Sequence, residues 1–207
     1  MKSEPSTITV LFGGQEVVLP LAVARKKWDV GNASIEHILH DGLFMPLLES
    51  ENLPGIRKEW RRLLGQAIQA PPGTQELSMA FHTQWHVCHH RLRELIDDDS
   101  LLLELAETWL PRYTGPDLHL YRGENIDRFE SGRIGSAWSD KLATAELFAG
   151  SQNNAGKGGV VLRAKIPASA IIAGPSAHSL RMDESEYTVD TRRLDGIEEV
   201  KRFPPGR

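Results

Sequence analysis

In "RMDESEYTVD", residues 181–190, two glutamates, Glu184 and Glu186, stand one residue apart inside a stretch that reads as a β-strand. Strand alternation puts Glu184, Glu186, Thr188 and Asp190 on one face, and Ser185, Tyr187 and Val189 on the other, with Tyr187 and Val189 turned to a core. The carboxylates are then roughly 7 Å apart. That spacing lets both stay ionised while acting on one substrate. The same pattern also fits the solvated face of an edge strand. A second group is Arg122, which ends the strand-like "LHLY" and is followed by Gly123. Alternation sets Arg122 on the side of Leu118 and Leu120, and a guanidinium leaving an apolar wall needs an anion. A phosphate meets that need with two parallel hydrogen bonds, and a structural carboxylate meets it equally well. The third group lies in "GSAWSDKLATAELFA". Ser136 and Ser139 can donate to a carboxylate or a ribose, and Trp138 can stack on a flat ring. A helix cap preceded by a core tryptophan accounts for those residues too.

Two other chemistries are weaker. His82, His86 and His90 recur every fourth residue in "FHTQWHVCHH", a spacing that can hold zinc. No downstream Cys or His pair completes the set and there is no H-E-x-x-H, so the expectation is a polar stripe beside a core row of Phe81, Trp85 and Cys88, with no metal. The stretch "GKGG" lacks the remaining residues of a phosphate-binding P-loop.

The elements that must position these groups change character along the chain. Residues 7–19, two β-branched runs split by Gly13-Gly14, predict a hairpin. Helical periodicity follows: from Ser34 through Leu47, interrupted by Pro46; after Pro54-Gly55 through Ala67; from near Glu76 through Leu95; and across "SLLLELAETWL". Arg57, Lys58, Arg61 and Arg62 form a basic face on the second of these, which reads as solvated. After "PRYTGPD" the texture is β-rich, with strands expected at "LHLY", "GGVVLRAKI", "EYTVD" and "GIEEVKRF". One helix, "DKLATAELFA", interrupts them, with Ser139 or Asp140 as cap, Leu142, Ala145 and Ala149 inward and Gly150 as stop. The expectation is one α+β domain over 1–207, with a mainly helical part (1–112) packed on a split, mostly antiparallel β core (113–207). A net charge of -4 and no aromatic stacking pattern argue against nucleic acid, and no stretch reads as a signal peptide or a membrane helix. A single cysteine, Cys88, fits a reducing compartment.

In order and spacing, "YRG", "SAWSDKLATAELFA" and "ESE" resemble the arginine, S-x-S and E-x-E signature of mono-ADP-ribosyltransferases, among them bacterial toxins and phage-encoded modifying enzymes. The resemblance is confined to the β-rich part. It implies NAD as substrate, with no metal, and cleavage of the bond between nicotinamide and ribose. The pyridinium leaves neutral and needs no general acid, unlike the leaving oxygen of an ordinary glycoside. Glu186 would stabilise the oxocarbenium-like ribose. Arg122, with Gly123 beside it, would hold the diphosphate, and Ser136, Trp138 and Ser139 would complete the cofactor site. Glu184 would position and deprotonate the acceptor, which the resemblance implies is a protein arginine, protonated at neutral pH. In many relatives a serine precedes the motif aromatic, where this chain has Ala137, so the favoured reading puts Ser136 in that role in a shifted register, the alternative being that the motif serine is absent and Ser139 takes the later position. Such an enzyme would act in the cytoplasm or be delivered into a target cell, with room for an immunity or activating protein. A relative that has lost activity and kept the fold as an interaction module is the alternative.

Overall fold

The computed structural model describes residues 7–12, 15–20 and 56–206. The helix expected from Ser34 through Leu47 lies outside them. The chain forms two compact units, Met1–Trp109 and Leu110–Arg207.

In the first unit β1 (Thr7–Phe12) and β2 (Gln15–Pro20) make the expected antiparallel hairpin, from Thr7 opposite Pro20 to Phe12 opposite Gln15. Among the described residues three helices follow: α1 (Ile56–Gln69), α2 (Gln75–Ile96) and α3 (Asp99–Trp109). The Thr74 side chain caps α2 by accepting from the Leu77 N–H, and Asp97 ends it in the left-handed region at φ 51°. The apolar stripes meet as the periodicity predicts: Trp60, Leu64, Phe81, Trp85, Leu92, Leu105 and Trp109 are all buried. Trp109 donates its indole N–H to the Ala67 carbonyl across this core, 2.8 Å away. Part of the basic face is occupied structurally. Arg57 donates to the Leu95 carbonyl, and Arg61 to those of Ile96 and Asp97, satisfying the open end of α2.

The second unit is built on a six-stranded, wholly antiparallel sheet in the order β6-β7-β4-β3-β5-β8. Its strands are β3 (Leu118–Asn125), β4 (Ala137–Ser139), β5 (Gly159–Ile166), β6 (Ile171–Ala173), β7 (Glu186–Val189) and β8 (Glu198–Phe203). The short helices α4 (Ile126–Glu130) and α6 (Ala177–Arg181) lie in connections. The longer α5 (Leu142–Gly150) follows β4 directly. One face of the sheet packs Leu120, Trp138, Leu162 and Val189 into a core with Ile126 and Ile171, and Tyr187 joins it. The other face receives α5 through Ala145 and Ala149 against Val161. That contact is close because Gly123 and Gly159 lie beneath the helix. A Cβ on Gly123 would collide with the Ala145 carbonyl, and one on Gly159 with the Ala149 carbonyl. Leu142, expected inward, is 39% exposed, and the N-cap position falls on Lys141, with no side-chain capping bond, rather than on Ser139 or Asp140.

β3 pairs with β5 over eight residues, Leu118 with Ile166 through Asn125 with Gly159. Against β4 it pairs only at Tyr121 and Ser139. The sheet therefore splits between its two central strands.

Candidate active site

The three chemically suggestive stretches lie far apart in sequence, yet they fall on β3, β4 and β7, which are consecutive neighbours in the sheet. Ser139 is the cross-strand partner of Glu186 on one side and of Tyr121 on the other. Cross-strand partners share a face, so Tyr121, Ser139 and Glu186 form a row across the middle of the sheet. β7 is an interior strand, not the solvated edge that its two glutamates also fitted. Thr188 and Asp190 are buried, and Asp190 is held by Arg192 and Arg193.

Glu184 is not on the strand. It sits in a tight turn whose flanking residues, Asp183 and Ser185, both lie in the left-handed region, at φ 59° and 49°. Such a conformation costs a non-glycine residue about 1–3 kcal/mol and persists only where neighbours enforce it. Five contacts do so here. The Glu184 N–H donates to the Ser179 carbonyl at 3.0 Å. The Glu186 N–H donates to Ser179 Oγ at 2.7 Å. Ser139 Oγ donates to the Glu184 carbonyl at 2.6 Å. Lys141 Nζ donates to the Asp183 carbonyl at 3.1 Å and pairs with the Asp183 carboxylate. Ser139 thus lies beside the glutamates and acts on the backbone of Glu184. Ser136 instead offers its carbonyl to the Val189 N–H.

Arg122 has found its anion inside the protein. Its Nε and Nη2 both reach Glu124 Oε2 at 2.8 Å, and Nη1 donates to the Ala137 carbonyl at 2.5 Å. Glu124 is fully buried, and it also accepts the N–H groups of Asn125 and Gly135 at 2.8 and 2.9 Å. These bonds bridge β3 and β4 where their backbones part. Arg122 pairs across with Leu162, so its Cβ lies on the face opposite to Glu186. The sheet thus brings Ser139 and Glu186 together and gives Arg122 to the split beside them. Glu124 was not singled out in sequence. Its position two residues after Arg122, on the same strand face, is the signal that pointed to it.

Two residues expected to touch a ligand are placed otherwise. Trp138 is 1% exposed, in the core, with its indole N–H donated to the Gly135 carbonyl, so it presents no open ring face. Gly123 serves the approach of α5, and its carbonyl accepts from Asn153 Nδ2 at 2.8 Å. Burial lifts the Tyr187 phenol above its usual pKa, and the Asp140 carboxylate adds to the rise, which keeps Tyr187 neutral near pH 7. Among the described residues, no cluster of three His, Cys, Asp or Glu side chains is arranged to hold a metal ion. His82 and His86 are largely buried on α2. Likewise among the described residues, no helix is long and apolar enough to cross a membrane. Comparison with protein-family models, curated proteins and solved structures finds no match to this chain.

Proposed function

We propose that the protein is an NAD-dependent mono-ADP-ribosyltransferase, moving ADP-ribose to an acceptor, a protein arginine, with release of nicotinamide. The observation that carries this reading is the convergence of the arginine, serine and glutamate stretches on three adjacent central strands, with Ser139 directly opposite Glu186. Glu186 stabilises the ribosyl cation from beneath, where the charge develops only as the bond breaks. Glu184, carried on its own turn, takes the proton from the acceptor. Arg122 supports the site by joining β3 to β4, and for it to grip a diphosphate its bond to Glu124 would have to yield.

Labelled NAD incubated with the protein and a cell lysate tests the reading. Glu186→Gln is expected to abolish both transfer and NAD hydrolysis, and Glu184→Gln to abolish transfer while sparing some hydrolysis. Equal loss of both in Glu184→Gln removes the division of labour.

The internal pairing of Arg122 and the enclosure of Trp138 favour a second reading, a transferase-like fold kept as an interaction module. Calorimetry that detects no NAD binding by the wild-type protein decides for it.

A further inference from the structure

We infer that Ser179, which lies outside the three motifs, is the positioning residue that sets both glutamates; the inference rests on the ADP-ribosyl-transfer reading. Ser179 is fully buried on α6 and accepts from both glutamate amides with two different atoms: its carbonyl takes the Glu184 N–H and its Oγ takes the Glu186 N–H. Its own N–H is donated to Ser176 Oγ at 3.0 Å, the side-chain cap of α6. Between the two amides the chain passes through the left-handed Ser185, preceded by the left-handed Asp183. A residue that holds both ends of such a turn sets the direction in which each carboxylate leaves the backbone. Ser139 and Lys141 hold the turn from β4 and the start of α5 through carbonyl oxygens, but neither touches the Glu186 amide. Ser179 is therefore the contact whose loss frees Glu186 in particular.

The test compares Ser179→Ala with Ser176→Ala in the full chain, reading NAD turnover, amide hydrogen exchange and thermal melting. Ser176 touches neither glutamate amide, so its variant loosens α6 without releasing the turn. Misplacement of a reacting group by about 1 Å costs on the order of a hundredfold in rate. Ser179→Ala is accordingly expected to lower kcat by roughly 10- to 100-fold with KM for NAD within about twofold, and to speed exchange of the Glu186 amide. Exchange at Val189, whose N–H is held by the Ser136 carbonyl, stays as in wild type. Ser176→Ala is expected to melt earlier and keep its kcat. Equal loss of kcat in the two variants, or unchanged kcat in Ser179→Ala, overturns the inference. A wild-type protein that turns over no NAD overturns the transferase reading instead. In that case faster Glu186 exchange in Ser179→Ala still assigns the hold on the turn to Ser179, and unchanged exchange removes it.

Discussion

Replacing Arg122 with methionine separates a structural guanidinium from a ligand-binding one, because the stem is kept and only the charged head is lost. Glu124, fully buried, accepts hydrogen bonds from two backbone amides and from Arg122 Nε, and Arg122 Nη2 faces the same carboxylate oxygen as an ion pair, while Nη1 donates to the Ala137 carbonyl. The two hydrogen bonds that Arg122 donates, to Glu124 and to the Ala137 carbonyl, are charge-assisted, and bonds of that kind are worth about 1.5–3 kcal/mol each. Their sum agrees with the roughly 3–5 kcal/mol lost when one partner of a buried pair is removed. For a unit of this size each kcal/mol moves Tm by about 4–8 °C, so Arg122→Met is expected to melt at least about 12 °C lower. Glu124→Gln in the same background should recover part of the loss, with a coupling of about 2–3 kcal/mol, because no buried charge then remains. Because the chain divides into two compact units, the assay is read region by region, as hydrogen exchange in increasing urea followed by mass spectrometry on peptides from residues 118–166. If Arg122→Met loses less than about 0.5 kcal/mol while NAD binding disappears, the guanidinium belongs to the ligand and the reasoning fails.

Three further outcomes follow from the same structure. Burial raises the Asp190 carboxyl, but hydrogen bonds and charge from Arg192, with Arg193, outweigh it and leave the group below its ordinary value of 3.8. That contribution to stability is complete above the ordinary value and disappears as pH falls through the depressed one, so Asp190→Asn should be less stable at pH 7 and approach wild type only as pH falls from 3.8 through the depressed value, read by urea midpoints. Burial pushes the Cys88 thiol up to about 11, so at pH 8 iodoacetamide should label the folded protein about a hundredfold more slowly than the unfolded chain, and equal rates would show that Cys88 is accessible. Gly123→Ala would place a methyl against the backbone of α5 and should cost about 2–3 kcal/mol by thermal melting, whereas a change within about 0.5 kcal/mol would mean that the helix can lift without strain.

Much of the architecture was legible in residue periodicity. The helices at 56–69, 75–96 and 99–109 follow their apolar stripes, and β3, β5, β7 and β8 lie where strands are expected, whereas the three-residue strands β4 (Ala137–Ser139) and β6 (Ile171–Ala173) are too short to show an alternation and are not among those expected. Strand order was not legible, because alternation says which way a side chain points and nothing about which strand lies beside it. The placement of Glu184 was also hidden. Period-2 reading carried the strand back through Ser185 and Asp183, and no local feature marks two non-glycine residues as left-handed; that conformation is imposed by Ser179 and Ser139 from elsewhere in the chain. For Arg122 the need for an anion was readable, and its answer stood two residues away in Glu124. Trp138 read equally as core or platform, and its packing with Leu120, Leu162 and Val189 makes it core.

The single backbone pairing between β3 and β4 makes the sheet mechanically two ribbons, β6-β7-β4 and β3-β5-β8, sewn along one seam by side chains. Side-chain stitches stretch and re-form at less cost than a ladder of amide bonds, so bending concentrates there and each ribbon keeps its own register. The row of Tyr121, Ser139 and Glu186 crosses that seam, which means that any flexing along it changes the span of the row while leaving Ser139 and Glu186, on the same ribbon, in fixed relation.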